Sequence, residues 1–238
     1  MEQFRNREEF GVAQAAPLGI VDLTATTASS AGPAAPPMDA ARLLDLVLAT
    51  AAIVFLAPLL LTLTILVWGS DGASPFFSQQ RIGFGGRRFR CFKFRTMVVD
   101  AEARLDAILE SNPAAQRLWL SEHKLKTDPR ITPAGRFLRL SSLDELPQLF
   151  NVVKGDMSLV GPRPIVSAEV YRYGRYFRSY CAVRPGVSGL WQINGRNDVS
   201  YRRRVAYDVL YARHRSLWLN LAILLKTAPA VIRRRGCY

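Results

Sequence analysis

The chain has 238 residues and a mass of 26.6 kDa, with 32 Lys plus Arg against 19 Asp plus Glu, a formal charge of +13 and a pI near 10.3. Apolar residues reach 49 %, ample for a core, which excludes wholesale disorder. Three scattered cysteines (Cys91, Cys181, Cys237) and two histidines argue against a disulfide framework and a Cys/His zinc site, and favour a reducing compartment.

The excess of positive charge points to anionic partners: nucleic acid, lipid headgroups or phosphorylated substrates. Residues 1–40 are rich in Ala, Pro, Ser and Thr, with no sustained periodicity. Such a stretch buries too little to offset its ordering entropy and reads as a disordered tail.

The character then changes. Leu46 to Trp68 is a run of 23 residues without a charge. As one helix it would span roughly 34 Å, against a hydrocarbon core of about 30 Å, so residues 41–69 read as a membrane helix. Pro58 interrupts it, removing a backbone donor and crowding the carbonyl of Val54. The break leaves two topologies open, a span and a re-entrant hairpin. Downstream, residues 70–95 carry Arg81, Arg87, Arg88, Arg90, Lys93 and Arg95 against Asp71 alone, which places the C-terminal side in the cytoplasm.

The remainder, residues 70–238, reads as one small cytosolic domain of α-rich α+β class. Two short runs, 74–81 and 88–95, flank Gly83, Gly85 and Gly86 and predict a β-hairpin. From Val98, the spacing of Ala101, Leu105, Ile108 and Leu109 predicts a helix. Asn112-Pro113 and Thr132-Pro133 each read as an N-cap followed by the first helical residue. The segment from Tyr201 is strongly basic around Leu217–Leu225, which suits either a helix lying in the membrane interface or a buried helix closing the domain.

Chemistry concentrates in 141–151. Ser142 and Glu145 have the spacing of a capping box, a purely structural role. Pro147 opposes that reading, because Pro favours the start of a helix, which would leave Asp144 and Glu145 in the bend just before it. Adjacent carboxylates there would stay ionised and could hold a divalent cation. In Gly161-Pro162-Arg163-Pro164, two prolines restrict the backbone around an arginine suited to bidentate phosphate contacts, although a rigid surface turn explains the same pattern. Arg184-Pro185-Gly186 and Asn194-Gly195-Arg196-Asn197-Asp198 add arginines in turn-forming contexts.

Five motifs in order carry a resemblance: Lys93-Phe94-Arg95-Thr96-Met97, Leu143–Gln148, Gly161–Pro164, Arg184–Gln192 and Asn194–Asp198. Together they resemble the bacterial sugar transferases, the monotopic phosphoglycosyl transferases, over roughly residues 40–238. The stretch 190–198 and the final Arg235-Gly236-Cys237-Tyr238 look most like the galactose phosphotransferases of exopolysaccharide synthesis. The resemblance implies transfer of a hexose 1-phosphate, galactose favoured, from a UDP-sugar to undecaprenyl phosphate, with release of UMP and use of Mg²⁺. UDP-glucose and acetamido sugars are alternative donors. It implies that Asp144 is the nucleophile, that Glu145 completes the dyad, and that both hold the metal. Lys93, Arg95, Arg163, Arg184, Arg196, Asn197 and Asp198 are then expected to bind phosphate or nucleotide.

The resemblance also implies a re-entrant helix broken at Pro58, a catalytic domain on the cytoplasmic face of the bacterial inner membrane, and association of copies as an open question. Where the family commonly carries Ser-Pro at the break, this chain has Ala57-Pro58. Two rival classes are a membrane-tethered nucleic-acid binder, disfavoured because no recognition motif accompanies the charge, and a non-catalytic scaffold of an export complex.

Overall fold

The computed structural model describes residues 38–122, 125, 128–195 and 199–232. The expected tail, apart from its last residues, lies outside them. The structure opens with the apolar segment as two helices, α1 (Ala40–Phe55) and α2 (Ala57–Trp68), bent by 62° at Leu56. Pro58 is the second residue of α2, where its missing N–H belongs to the unbonded first turn. No single described helix is long and apolar enough to cross a membrane, but this bent pair has the length and composition to do so.

The helix starts at Ala40, one residue before the expected start, and its charged first turns have a role that was not read from the sequence. Asp39 caps α1 by accepting from the Arg42 backbone N–H at 2.8 Å. One turn inside, Arg42 and Asp45 are each only 4 % exposed. They tie α1 to the rest of the domain through the contacts described below.

After α2 comes the predicted hairpin, β1 (Phe76–Ile82) antiparallel to β2 (Arg88–Phe94), with Phe76 opposite Phe94. Its turn uses Gly85 and Gly86 at φ 64° and 78°, values that non-glycine residues rarely adopt. Helices α3 (Ala101–Ser111), α4 (Pro113–Glu122) and α5 (Pro133–Ser141) follow. Both expected helix starts are present. Asn112 accepts from the N–H groups of Ala114 and Ala115, and Thr132 from that of Gly135.

The next elements are α6 (Gln148–Lys154), β3 (Ser158–Val160), α7 (Val170–Tyr173), α8 (Phe177–Cys181), β4 (Gly186–Ser188) and α9 (Leu190–Ile193). Two longer helices, α10 (Tyr201–His214) and α11 (Leu217–Ile232), complete the described chain. The fold is therefore helix-rich with small sheets, as expected. A second sheet was not foreseen: β3 pairs in parallel with β4, Ser158 opposite Gly186 and Val160 opposite Ser188. Glycine permits this approach, since a Cβ on Gly186 would collide with the backbone of Gly161.

Helix α6 is the hub of the main core. Leu149 and Val152 on it pack with Ala49 of α1, Cys91 of β2, Tyr211 of α10 and Ile223 of α11. Asn151, fully buried, fastens α6 to the hairpin by accepting from the Phe92 N–H (2.9 Å) and donating to the Arg90 carbonyl (2.7 Å). Arg42 donates to the Val152 carbonyl (2.7 Å) in the last turn of the same helix and to the Met157 carbonyl (3.2 Å) just beyond its end. Asp45 accepts from the Ser158 hydroxyl (2.7 Å) and the Leu159 N–H (3.0 Å).

Helix α11 settles between the two readings given for it. Asn220 and Ile223 are buried against the domain, whereas Trp218 and Leu225 are 80 % and 76 % exposed.

Candidate active site

The dyad owes its position to a sharp reversal of the chain. Ser142 ends α5 in the left-handed region at φ 58°, the one described non-glycine residue with positive φ. A single 3₁₀ turn, Leu143–Glu145, follows, and Pro147 then immediately precedes α6. Asp144 and Glu145 thus stand in the bend before a helix, as Pro147 predicted. The capping-box alternative fails: the Ser142 side chain makes no capping hydrogen bond, and Glu145 turns to Lys93 instead.

Lys93, one residue from the end of β2, faces both carboxylates. Its Nζ donates to Glu145 Oε1 at 2.7 Å and lies 3.8 Å from Asp144 Oδ2. Register matters here, and Asn151 fixes it by bonding β2 to the helix that follows the dyad. Arg163, held between its two prolines, brings Nη1 to 3.9 Å from Glu145 Oε1 and stays 43 % exposed.

The two carboxyls respond in opposite directions. Burial alone would raise Glu145, but Lys93, Arg163 and Arg81 outweigh it and hold the group at about 2. Asp144 is raised above the ordinary carboxylate value by burial, with the charge of Glu145 adding to it, and Lys93 and Arg139 only partly offset this. The environment therefore reinforces the ionised form of Glu145 and favours the protonated form of Asp144 more than an ordinary carboxyl would.

The pair opens onto a cavity of about 1170 Å³ bounded by the hairpin, the start of α3, the end of α5 and α9. Its lining combines charged side chains such as Lys93, Asp144, Glu145 and Arg163 with apolar ones such as Phe76, Phe77, Leu105 and Trp119. A pocket of mixed lining accommodates a ligand carrying both kinds of group.

The other expected phosphate binders separate. Arg95 lines the cavity but is committed to a bidentate pair with Asp71 and to the carbonyls of Ser74 and Ala73. Arg184 is not brought to the dyad. Its Nε donates to the Gly155 carbonyl at 3.0 Å, and its charged neighbours are Arg42, Asp45, Arg215 and Asp39. Arg196, Asn197 and Asp198 lie outside the described residues.

Two cations at the site were not read from the sequence. Arg81 on β1 donates to the Pro164 carbonyl at 2.9 Å and faces Glu169, while its field reaches Glu145. Arg139 donates to Thr96 Oγ1 at 2.9 Å and acts on Asp144. Neither belongs to a Pro- or Gly-rich motif, and no local pattern distinguishes them from neighbouring arginines.

No group of three or more Asp, Glu, His or Cys side chains converges on one point among the described residues. Among the described residues, a divalent site at the dyad would draw on Asp144 and Glu145. That donor set fits Mg²⁺, which is commonly bound by one or two carboxylates together with water and substrate phosphates.

Residues 38–234 match the family model for the bacterial sugar transferases. The chain is 49 % identical over 197 residues to the UDP-galactose-lipid carrier transferase of Erwinia amylovora, covering 83 % of this chain and 41 % of that one. It is 48 % identical over 197 residues to the undecaprenyl-phosphate galactose phosphotransferase of Salmonella typhimurium, again 83 % and 41 %. Against the exopolysaccharide production protein ExoY of Sinorhizobium fredii it is 48 % identical over 197 residues, covering 83 % of this chain and 87 % of the relative. The chain thus spans about two fifths of the first two relatives and most of the third. A dyad lodged in a cationic pocket and a match over almost all of the described chain agree: this protein belongs to the bacterial sugar transferase family.

Proposed function

We propose that the chain transfers a hexose 1-phosphate, galactose 1-phosphate favoured, from a UDP-sugar to undecaprenyl phosphate and releases UMP, as a first membrane step of exopolysaccharide synthesis. The observation that carries this reading is the Asp144–Glu145 pair bracketed by Lys93 and Arg163. Asp144 Oδ attacks the β-phosphorus of the donor. The bond from that phosphorus to the bridging oxygen breaks, and UMP departs with its electron pair. A phosphate oxygen of the lipid then attacks the same phosphorus and displaces Asp144, giving the lipid diphosphate sugar.

The chain's own charges suit these steps. A pyrophosphate repels an attacking carboxylate unless cations neutralise it, and Lys93, Arg163 and Arg81 converge there in advance. A carboxylate of raised pKa is the more basic one, which suits Asp144 to attack, while Glu145 stays ionised throughout. Mg²⁺, held by the two carboxylates when bound, would add charge neutralisation on the phosphate oxygens.

A re-entrant arrangement of α1 and α2 with the catalytic domain on the cytoplasmic side is part of the same proposal. It is supported by where the two ends are tied. Asp39, just before α1, pairs with Arg215 at 2.7 Å, and Asp71, just after α2, pairs with Arg95. Both partners belong to the same domain, and the bend lies between them. The pair also exposes Val54, Phe55, Leu61 and Ile65, a face that suits acyl chains.

Asp144→Asn tests the chemistry. UMP release from UDP-galactose should fall by at least roughly 10³-fold, with membrane association intact. Wild-type protein stalled without lipid acceptor should carry a phosphohexosyl adduct on Asp144 detectable by mass spectrometry. Ordinary turnover by the variant would remove the nucleophile assignment. Because protonated Asp144 cannot attack, the wild-type rate should fall on acidification through a pKa above the usual carboxylate value.

A further inference from the structure

Trp191 and Gln192, two lining residues of the cavity on α9, each carry a buried polar atom without a partner among the described residues. Trp191 is 3 % exposed, and its Nε1 is buried without a hydrogen-bond partner among the described residues; the same holds for Oε1 of Gln192. Buried polar atoms are nearly always paired, so two adjacent exceptions require an explanation.

Neighbouring groups fix both side chains. Nε2 of Gln192 donates to the Val187 carbonyl at 3.2 Å, which commits the amide nitrogen and leaves the oxygen to offer. The Arg204 guanidinium lies 4.6 Å over the Trp191 ring. Both residues line the large cavity with Asp144 and Glu145. Gln192 also borders a recess of about 10 Å³ shared with Lys93, Glu145 and Arg163, enough for one water-sized group.

The chemistry of these atoms narrows the ligand. An amide oxygen only accepts, and an indole N–H only donates. A phosphate offers acceptors alone at neutral pH and would be repelled by the amide oxygen. Neighbouring hydroxyls supply one donor and one acceptor within a short span. The group attached directly to the phosphorus at the dyad is the hexose, whereas the base is a ribose and a second phosphate away.

We propose that Trp191 and Gln192 form a hydroxyl-reading subsite for the sugar of the donor, with Gln192 Oε1 accepting from one hydroxyl and Trp191 Nε1 donating to another. This rests on the transferase reading of the dyad and adds to it the residues that distinguish one hexose from another. Each sugar hydroxyl that meets one of these atoms supplies the hydrogen bond that atom lacks, and a donor without that hydroxyl leaves the atom stranded.

The test uses the full chain in nanodiscs with undecaprenyl phosphate, UDP-galactose, UDP-glucose and the monodeoxy UDP-galactoses. For the wild type, one deoxy donor should lose roughly 10- to 100-fold in kcat/KM relative to UDP-galactose. Gln192→Leu should lose a similar factor on UDP-galactose and almost nothing further on that deoxy donor. Trp191→Phe keeps an aromatic ring under Arg204 but removes the N–H together with part of the indole, so its melting temperature is measured alongside, and with the fold intact it should show the same pattern with a different deoxy donor. Binding of UDP alone, measured by calorimetry, should stay within about twofold in both variants, as expected when no nucleotide contact is removed.

Losses that simply multiply across every deoxy donor, or weakened binding of UDP itself, would overturn the subsite. Should the wild type turn over no UDP-sugar, the transferase reading fails instead. The subsite is still judged then by whether Gln192→Leu weakens binding of UDP-galactose relative to UDP.

Discussion

Two charged clusters sit on either side of α6, and they differ in what their charges touch. At its C-terminal end Arg42 and Asp45, each 4 % exposed, spend their hydrogen bonds on backbone groups and one hydroxyl. At its N-terminal end Asp144, Glu145, Lys93 and Arg163 face mainly one another, beside an open cavity. The first cluster is saturated and can accept nothing more. The second keeps donors and acceptors in reserve, and its two adjacent carboxyls are driven in opposite directions from their ordinary pKa. Satisfied charge builds structure, and unsatisfied charge beside a cavity is left for a ligand. One short helix links the two, so the bent apolar pair α1–α2 and the dyad are positioned by the same element.

The contrast breaks most easily at Arg42. Arg42→Leu strands the buried Asp45 carboxylate and the carbonyls at the end of α6, and should lower stability by about 3–5 kcal/mol. Chemical denaturation in detergent measures the loss. Adding Asp45→Leu should recover part of it, and no recovery would show that the pair is not coupled.

At the other cluster Arg163→Ala should cost about 2 kcal/mol of transition-state stabilisation with little change in melting temperature. Arg184→Ala, a matched arginine beside a proline, should change kcat/KM by less than about twofold, because its guanidinium serves the Gly155 carbonyl. Equal rate losses in both would dissolve the distinction drawn between them.

A smaller effect is expected from another buried acid. Asp208, 2 % exposed, accepts from the Tyr173 hydroxyl at 2.7 Å, and burial raises its pKa to about 7. The protonated form is therefore favoured by folding. Its contribution is complete below the unfolded value near 3.8 and is lost as pH rises through about 7. Asp208→Asn removes the ionisation and should gain on the order of 1 kcal/mol relative to wild type at pH 8, and less at pH 5. Urea midpoints at the two pH values check the sign.

Local rules carried much of this fold into view. The break at Pro58, the hairpin across Gly85-Gly86, and the helix starts at Asn112-Pro113 and Thr132-Pro133 depend on dihedral limits and capping groups a few residues apart. Pro147 likewise put Asp144 and Glu145 in a bend. The β3–β4 pair escaped because its strands are three residues long and separated by more than twenty, with no alternation to detect. Arg163 and Arg184 looked equivalent because both stand next to proline. Arg81 and Arg139 carried no signal of their own, and Trp191 and Gln192 entered only as the end of the motif Arg184–Gln192, without a role.

What the sequence determined by itself was the inventory: a greasy segment with a break, an adjacent pair of carboxylates before a helix, and a surplus of arginine and lysine. Backbone sterics, hydrophobic period and net charge are properties of neighbouring residues, so they can be read in one dimension. Only the tertiary structure decided which cations meet the dyad, which acid is driven up and which down, and which polar atoms remain without a partner. Those outcomes depend on burial and on distances of a few ångströms between residues far apart in the chain, where a single register shift of β2 against α6 would carry Lys93 away from Glu145.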